Sequence, residues 1–271
     1  MQRSSTTYTL GFAGAVCAVC SILVSGAAVA LKQRQDRNVV LDRQLKVLDV
    51  TGLWSPGEKL SAAEAQKRFD ENIRIRIVDL ATGEYADKDV TEPYDPVKAA
   101  STADFGVDAP ENSARIPRMP KYAKVYEILK DGQTDMIVLQ VWGRGLWSTM
   151  YGYLAMDKDC ETIRGLTFYE QGETPGLGGE VDNPRWKAKW PGRKAFDESG
   201  EPAIAMRKGG AGSVEEDPHG FDAISGATIT SRAVEDLLNF WLGPEGYAAY
   251  LDGFRKRIAS NASGAAHEGV A

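Results

Sequence analysis

The sequence predicts an α+β protein in which a single N-terminal transmembrane helix precedes a domain with an antiparallel sheet and flanking helices. Three observations predict this architecture. Residues 10–31 are almost wholly apolar or small. Between residues 125 and 169, short runs of apolar and β-branched residues separated by turn residues are typical of neighbouring strands. From 234 to 242, apolar residues recur at the spacing of one helical face, which predicts an amphipathic helix packed on the sheet.

The first element is the apolar segment. A helix of about 22 residues spans roughly 33 Å, which matches the hydrocarbon thickness of a bilayer. A cleaved signal peptide is the alternative, because the residues before Leu31 resemble a cleavage site, but the apolar run is longer than a signal peptide needs. We therefore predict that residues 1–34 form an uncleaved, single-pass anchor.

Charge around this segment favours one orientation. Arg3 precedes it, whereas five basic residues follow it: Lys32, Arg34, Arg37, Arg43 and Lys46. Taken alone, the positive-inside rule would keep the following domain in the cytoplasm.

Composition excludes two classes of function. The net charge is −6 and no basic cluster is present, so a nucleic-acid partner is not expected. With two histidines and three cysteines, we expect no metal site and no structural disulfide. Cys17 and Cys20 lie on one helical face, either as a thiolate pair or as small apolar fillers. The second interpretation is favoured because no nearby charge would stabilise thiolates.

Residues 35–112 are predicted to form a stalk and an accessory α/β segment. Leucines at helical spacing predict a stalk helix over 39–50. Ser61 and Glu64 form a predicted capping box that opens a second helix. Isoleucines alternate with arginines over 73–77, which predicts a strand. The stretch 95–120 has little apolar patterning and is predicted as a long loop or a boundary.

Residues 113–259 are predicted to form the main domain. Strands over 125–129 and 136–142 flank an Asp-Gly turn, and two further strands cover 150–156 and 162–169. An amphipathic helix is predicted to start near Ser231, followed by a second helix over 247–258. The tail 260–271 is rich in Ala, Ser and Gly and is predicted to be disordered.

The most informative segment is 222–231, a turn of small residues that ends where a helix begins. We expect Thr228 to lie about three residues before the cap Ser231. A phosphate on its hydroxyl would then lie near the positive end of that helix, where an anion is favoured. Gly226 and Ala227 would leave the hydroxyl accessible. From the residues alone, a plain Ser/Thr-rich entry loop stays open as the alternative.

Asp222, Ser225, Gly226, Ala227 and Thr228 resemble the flavinylation motif Asp-x-x-Ser/Thr-Gly-Ala-Thr of FMN-binding domains. In those families the threonine receives FMN through a phosphoester. The resemblance therefore implies covalent FMN on Thr228, with the other four residues around the attachment point.

Further stretches extend this resemblance through nearly the whole chain. Residues 20–30, 143–148, 169–180 and 240–243 are similar to the C subunit of the sodium-translocating NADH:quinone oxidoreductase. This implies an electron-transfer subunit of a complex that oxidises NADH, reduces ubiquinone and pumps sodium outward. It also implies a flavin transferase for maturation and a domain on the periplasmic side of the bacterial inner membrane, against the charge bias.

Contacts to the flavin are expected from three regions, although each has an ordinary structural explanation. The Gly-rich loop with Glu173, Thr174, Gly176 and Leu177 is expected to approach the ring closely and to offer unpaired amides, or it is a tight loop without a ligand. Leu146 and Trp147 would wall the ring, unless they are core residues of a strand. Lys208 would offset the negative charge of the phosphate, unless it is a solvated surface lysine. No catalytic acid or base is expected, because the cofactor carries the electron chemistry.

Two rival functions remain open at this point. One is a flavoprotein similar to the G subunit of ferredoxin:NAD oxidoreductase (Rnf-type) complexes, which shares the flavin motif. The other is an anchored extracytoplasmic binding module with no flavin.

Overall fold

The computed structural model describes residues 6–86, 90 and 93–268 of the chain. It divides into two compact units, Met1–Arg43 and Gln44–Ala271. The helices are α1 (Thr6–Val50), α2 (Ala62–Asn72), α3 (Pro96–Ala100), α4 (Pro184–Lys187), α5 (Thr228–Leu242) and α6 (Ala248–Glu268), with a 3-10 turn at Gly178–Asp182. The strands are β1 (Ile73–Asp79), β2 (Gly106–Asp108), β3 (Arg118–Pro120), β4 (Tyr122–Lys130), β5 (Gln133–Arg144), β6 (Thr149–Asp157), β7 (Ile163–Glu170), β8 (Ala205–Arg207) and β9 (Gly220–Asp222).

Within the first unit the structure describes residues 6–43, which belong to α1. The apolar side chains of this part of α1 are exposed, Ile22 by 72% and Leu23 by 67%. Among the described residues, α1 is the one helix long and apolar enough to cross a membrane. The predicted anchor and stalk are thus parts of one continuous helix of 45 residues.

The second unit is built on an antiparallel sheet of five strands in the order β1-β4-β5-β6-β7. The β4–β5 turn has Asp131 and Gly132 at φ 53° and 77°, as a two-residue hairpin loop with the twist of its strands requires. The four strands predicted between 125 and 169 are therefore confirmed. The boundary predicted at residues 112 and 113 stays a prediction, although β1 from the first segment is hydrogen-bonded to β4 from the second.

Both faces of the sheet are covered by helices. On one face α5 packs through fully buried side chains such as Leu237 and Trp241, and the Trp241 indole N–H donates to the carbonyl of Trp142 at 2.7 Å. On the other face the end of α1 and helix α2 bury Leu48 and Phe69 against the sheet. The capping box of α2 forms as predicted, with the Glu64 N–H donating to the Ser61 hydroxyl.

Two predicted segments differ in the structure. Residues 95–120 contain α3, β2 and β3 rather than one long loop; Asp95 caps α3, accepting a hydrogen bond from the Val97 N–H, and Pro96 is its first residue. Residues 260–268, expected in a disordered tail, continue α6 to Glu268, consistent with the helix propensity of alanine. Residues 269–271 lie outside the described part.

Candidate functional site

Thr228 is the first residue of α5, and its side chain is exposed. The prediction that Thr228 precedes a cap at Ser231 was wrong. The Ser231 hydroxyl is buried; it accepts from the Ile224 N–H at 2.9 Å and donates to the Ala227 carbonyl at 3.0 Å. Ser231 therefore holds the preceding loop in place instead of starting the helix.

The N-cap of α5 is Ala227, which makes no side-chain cap hydrogen bond. The first amides of a helix need partners from outside the helix, and a helix usually obtains one from a Ser, Thr, Asp or Asn cap. An anion bonded to Thr228 would lie beside these amides and the positive end of the helix dipole. The geometry at Thr228 thus suits a phosphate.

The loop from 222 to 227 reaches α5 through a left-handed glycine, because Gly226 has φ +74°. A Cβ added at Gly226 would lie 3.1 Å from Cδ2 of Leu177, so the loop approaches the 173–179 segment closely at this point. Ser225 and Gly226 are exposed, whereas Ala227 is buried. Asp222, Ser225 and Gly226 of the predicted motif line one cleft with Thr228, and Ala227 precedes it in the chain.

Asp222 links the end of β9 to α4 and to the segments that contain Lys189 and Ala211 through hydrogen bonds. Its carboxylate accepts from Lys189 Nζ and from the Ala211 N–H, and its carbonyl accepts from the Trp186 indole N–H at 2.9 Å. Burial raises the pKa of this carboxyl, but the hydrogen bonds and charge of Lys189 and the Ala211 amide outweigh it, so the net pKa is lowered. The Asp222 carboxylate thus connects the loop from 222 to 227 to Lys189 and Ala211.

Two clefts flank this loop. A cleft of about 360 Å³ brings Thr228 and Lys208 together with Gly209, Gly210 and residues 222–226. A second cleft of about 390 Å³ shares residues 222–225 and is lined by Gly176 and Trp186 among others. Arg185 also lines the second cleft, and no pattern in the sequence singled it out. Lys208 was predicted near the phosphate, and it lines the same cleft as Thr228.

Exposed apolar side chains lie in the β5–β6 connection, in the Gly-rich loop and in the first turn of α5. Leu146 and Trp147 are exposed by 44% and 64% in the β5–β6 connection, so they are not core residues. Leu177 and Ile229 are exposed by 44% and 55%. Ile229 was missed in the sequence, although its position next to Thr228 in the first turn of α5 was the available signal. Such residues offer an apolar wall to a flat ring.

The Gly-rich loop differs from its prediction in one respect. The amides of Leu177 and Gly179 both donate to the Thr174 carbonyl at 3.0 Å, and the Glu173 amide donates to the Gln171 side chain at 2.6 Å. These amides are therefore used within the protein and are not free donors for a flavin. Thr174 and Gly176 are exposed, and Gly176 has φ +77°.

Glu173 is buried, with only 5% of its surface exposed. Its Oε2 accepts from the Thr230 hydroxyl at 2.5 Å, and its Oε1 accepts from the Trp147 N–H at 3.0 Å. Both carboxylate oxygens are thus engaged by protein donors, and the contact predicted between Glu173 and the flavin stays a prediction.

Among the residues described, no group of three or more His, Cys, Asp and Glu side chains is arranged to hold a metal. Cys17 and Cys20 are exposed on α1 as free cysteines, and Cys160 is buried. Burial raises the pKa of the Cys160 thiol to about 12, so this residue is no reactive thiolate.

Comparison with known proteins identifies the family of this chain. Residues 145–243 match a family model described as FMN-binding domain. The C subunit of the Na(+)-translocating NADH-quinone reductase of Pseudomonas aeruginosa is 44% identical over 258 residues, which cover 94% of this chain and 98% of that protein. The chain belongs to the C-subunit family of these reductases. Its counterpart from Vibrio parahaemolyticus is 43% identical over 256 residues, 92% of this chain and 95% of that protein.

Solved structures of the C-subunit family share this fold. The crystal structure of Shewanella oneidensis NqrC matches with a TM-score of 0.73 at 31% identity, covering 82% of this chain and 99% of that one. The C subunit from Parabacteroides distasonis matches with a TM-score of 0.61 at 30% identity, over 82% of this chain and 96% of that one. The FMN-binding domain match contains every residue predicted to hold the cofactor.

Proposed function

We propose that this chain carries one FMN, bonded through a phosphoester to Oγ1 of Thr228, as the electron-transferring C subunit of a sodium-translocating NADH:ubiquinone reductase. One observation carries the proposal. An exposed threonine begins a helix whose N-cap offers no side-chain acceptor, and it faces a cleft that contains a lysine.

Electrostatics favour a phosphate at this position. The first turn of α5 supplies N–H groups and the positive end of the helix dipole. Lys208 lines the same cleft, so its ammonium group would offset part of the phosphate charge. Asp222 lines the same cleft, but Lys189 and the Ala211 amide donate to its carboxylate and offset part of its repulsion of the phosphate.

The flavin ring would lie against the exposed side chains of Leu146, Trp147, Leu177 and Ile229. Bound FMN supplies the redox chemistry, and the protein fixes its position and its electrostatic surroundings. The covalent bond replaces a binding equilibrium with a permanently high local concentration, which suits a compartment where free flavin is scarce.

The partners follow from the family. The matching proteins are named as subunits of NADH-quinone reductases, so we infer that other subunits oxidise NADH, reduce quinone and move sodium outward. A single anchor helix with no carboxylate between residues 4 and 31 supplies no sodium pathway. A flavin transferase acting on the periplasmic side of the inner membrane would attach the FMN.

The experiment is a denaturing gel of the full chain, made in a host that has the transferase. We expect an ultraviolet-fluorescent band in the wild type that is lost completely in Thr228→Ala. The matched control Thr82→Ala, which alters an exposed threonine in the turn after β1, keeps the fluorescence. Mass spectrometry of the tryptic peptide is expected to place the added FMN on Thr228. A wild-type band without fluorescence would contradict the proposal and favour an anchored module without flavin.

A further inference from the structure

Glu173 and Thr230 form a buried pair beneath the attachment site. Thr230 is 1% exposed and Glu173 is 5% exposed, and the Thr230 hydroxyl donates to the Glu173 carboxylate at 2.5 Å. The two side chains are therefore in direct hydrogen-bond contact. The two residues are 57 positions apart, so the bond ties the first turn of α5 to the Gly-rich loop.

The same carboxylate holds a third segment. Its other oxygen accepts from the Trp147 N–H at 3.0 Å, in the β5–β6 connection that carries the exposed Leu146 and Trp147. The Glu173 side chain therefore ties the Gly-rich loop both to the β5–β6 connection and to the first turn of α5, which Thr228 begins. A buried carboxylate without partners would be costly, and here each oxygen has a donor.

Glycines make room for this arrangement. A Cβ at Gly178 would lie 2.5 Å from Oγ1 of Thr230 and 2.8 Å from Oε2 of Glu173. A Cβ at Gly145 would lie 2.6 Å from Oε1 of Glu173. At both positions only hydrogen fits beside the carboxylate, so the backbone is shaped around the pair.

We propose that Glu173 and Thr230 are positioning residues that fix the ring-facing segments and the first turn of α5 in the geometry that flavin attachment requires. Glu173 acts through the Trp147 amide and the Thr230 hydroxyl, not as a ligand of the flavin. The part of this proposal that concerns attachment rests on the proposed function at Thr228; the part that concerns the protein's own geometry does not.

The first test measures hydrogen exchange of the Trp147 amide in the full chain, purified in detergent and carrying Thr228→Ala so that no flavin is attached there. Thr230→Val removes the hydroxyl donor at nearly constant volume, and Glu173→Gln removes the charge. Because hydrogen bonds to charged groups are strong, exchange is expected to rise about tenfold or more in both variants. Thr230→Ser restores the hydroxyl and is expected to stay within about twofold of the parent.

The chain offers a matched control in Thr167→Val. Thr167 is fully buried in β7, and within the described part of the chain its hydroxyl has no hydrogen-bond partner. The same substitution there is expected to leave Trp147 exchange unchanged. Equal exchange in the parent and Thr230→Val would overturn the proposal. Should Thr230→Val fail to fold, Glu173→Gln is judged by the same criterion.

The second test measures the initial rate of flavin attachment to Thr228 at limiting transferase, at a temperature where every variant is fully folded. Thr230→Val is expected to slow attachment about tenfold, whereas Thr230→Ser and Thr167→Val keep the wild-type rate within about twofold. A normal rate in Thr230→Val would contradict the positioning role. If wild-type chain takes up no flavin, the proposed function fails, while the exchange measurement still decides whether the pair fixes Trp147.

Discussion

The side chains next to Thr228 do not accept hydrogen bonds from the first amides of α5, and this supports the proposed flavin attachment at Thr228. A Ser or Asp at the N-cap would accept hydrogen bonds from the first amides of α5. Ala227 occupies that position and makes no such bond. Ser231, the nearby hydroxyl that could have competed, is turned back toward Ile224 and Ala227. The first turn is therefore left for an anion supplied at Thr228.

Any side chain at Gly178 is predicted to lower the free energy of unfolding. Gly178→Ala would force its Cβ into Thr230 and Glu173, and such overpacking costs about 1–3 kcal/mol of unfolding free energy. Chemical denaturation of the purified chain measures this cost. Gly179→Ala is the matched control; its Cβ would lie 3.2 Å from the Thr174 carbonyl oxygen, so we expect a smaller cost. Equal costs at the two positions would argue against a tight fit around the carboxylate.

Among the elements, the connection between β9 and α5 depends on ties to segments that lie elsewhere in the chain. Lys189, just after α4, and Ala211 both donate to the Asp222 carboxylate. The second cleft lies between this loop and α4. The position of the 222–227 loop therefore depends on α4, whose Trp186 donates to the Asp222 carbonyl, as well as on α5.

This arrangement predicts a pH dependence. The folded pKa of Asp222 lies below its unfolded value, so its contribution to stability is present above about pH 3.9 and is lost as pH falls through the lowered folded pKa. Asp222→Asn is expected to cost about 2 kcal/mol at pH 7. The difference in Tm between wild type and Asp222→Asn should narrow from pH 7 toward pH 3.

The control for this prediction is Asp252→Asn, which removes one partner of an exposed ion pair with Arg255. An exposed pair of this kind contributes little, so we expect a change within about 0.5 kcal/mol. A Tm difference for Asp222→Asn that stays constant down to pH 3 would show that its carboxylate is not a stabilising acceptor.

For the whole molecule, the continuous helix α1 joins the candidate membrane anchor to the domain that carries Thr228. The basic residues after the apolar segment favour a cytoplasmic domain, whereas flavin attachment outside the cytoplasm requires export. Our proposal puts the domain in the periplasm, because long domains translocate largely regardless of such a charge bias.

Topology reporters test this placement. Alkaline phosphatase, which is active only after export, is expected to be active when fused after residue 271, and a reporter that folds only in the cytoplasm is expected to be inactive there. Deletion of residues 1–31 is the control and should abolish phosphatase activity. Intact mass should retain the N-terminal segment; a chain that begins at Leu31 would indicate a cleaved signal peptide. The reverse reporter pattern would contradict periplasmic placement.

The sequence by itself determined the features that depend on neighbouring residues. The apolar run at the N-terminus, the alternating strands, the Asp-Gly turn, the Ser61–Glu64 capping box and the small-residue motif around Thr228 are all local patterns. Local periodicity and turn chemistry express backbone preferences directly, so these elements were predicted close to where the structure has them.

Only the tertiary structure decided the start of α5, the hydrogen bonds of the loop amides and the partners of the Glu173 carboxylate. Serine is a common N-cap residue, but Ser231 is buried against the 224–227 loop, where its hydroxyl has other partners. The Glu173–Thr230 bond joins residues 57 positions apart. No local pattern encodes such a pair, because the two side chains meet only after the sheet and α5 have packed together.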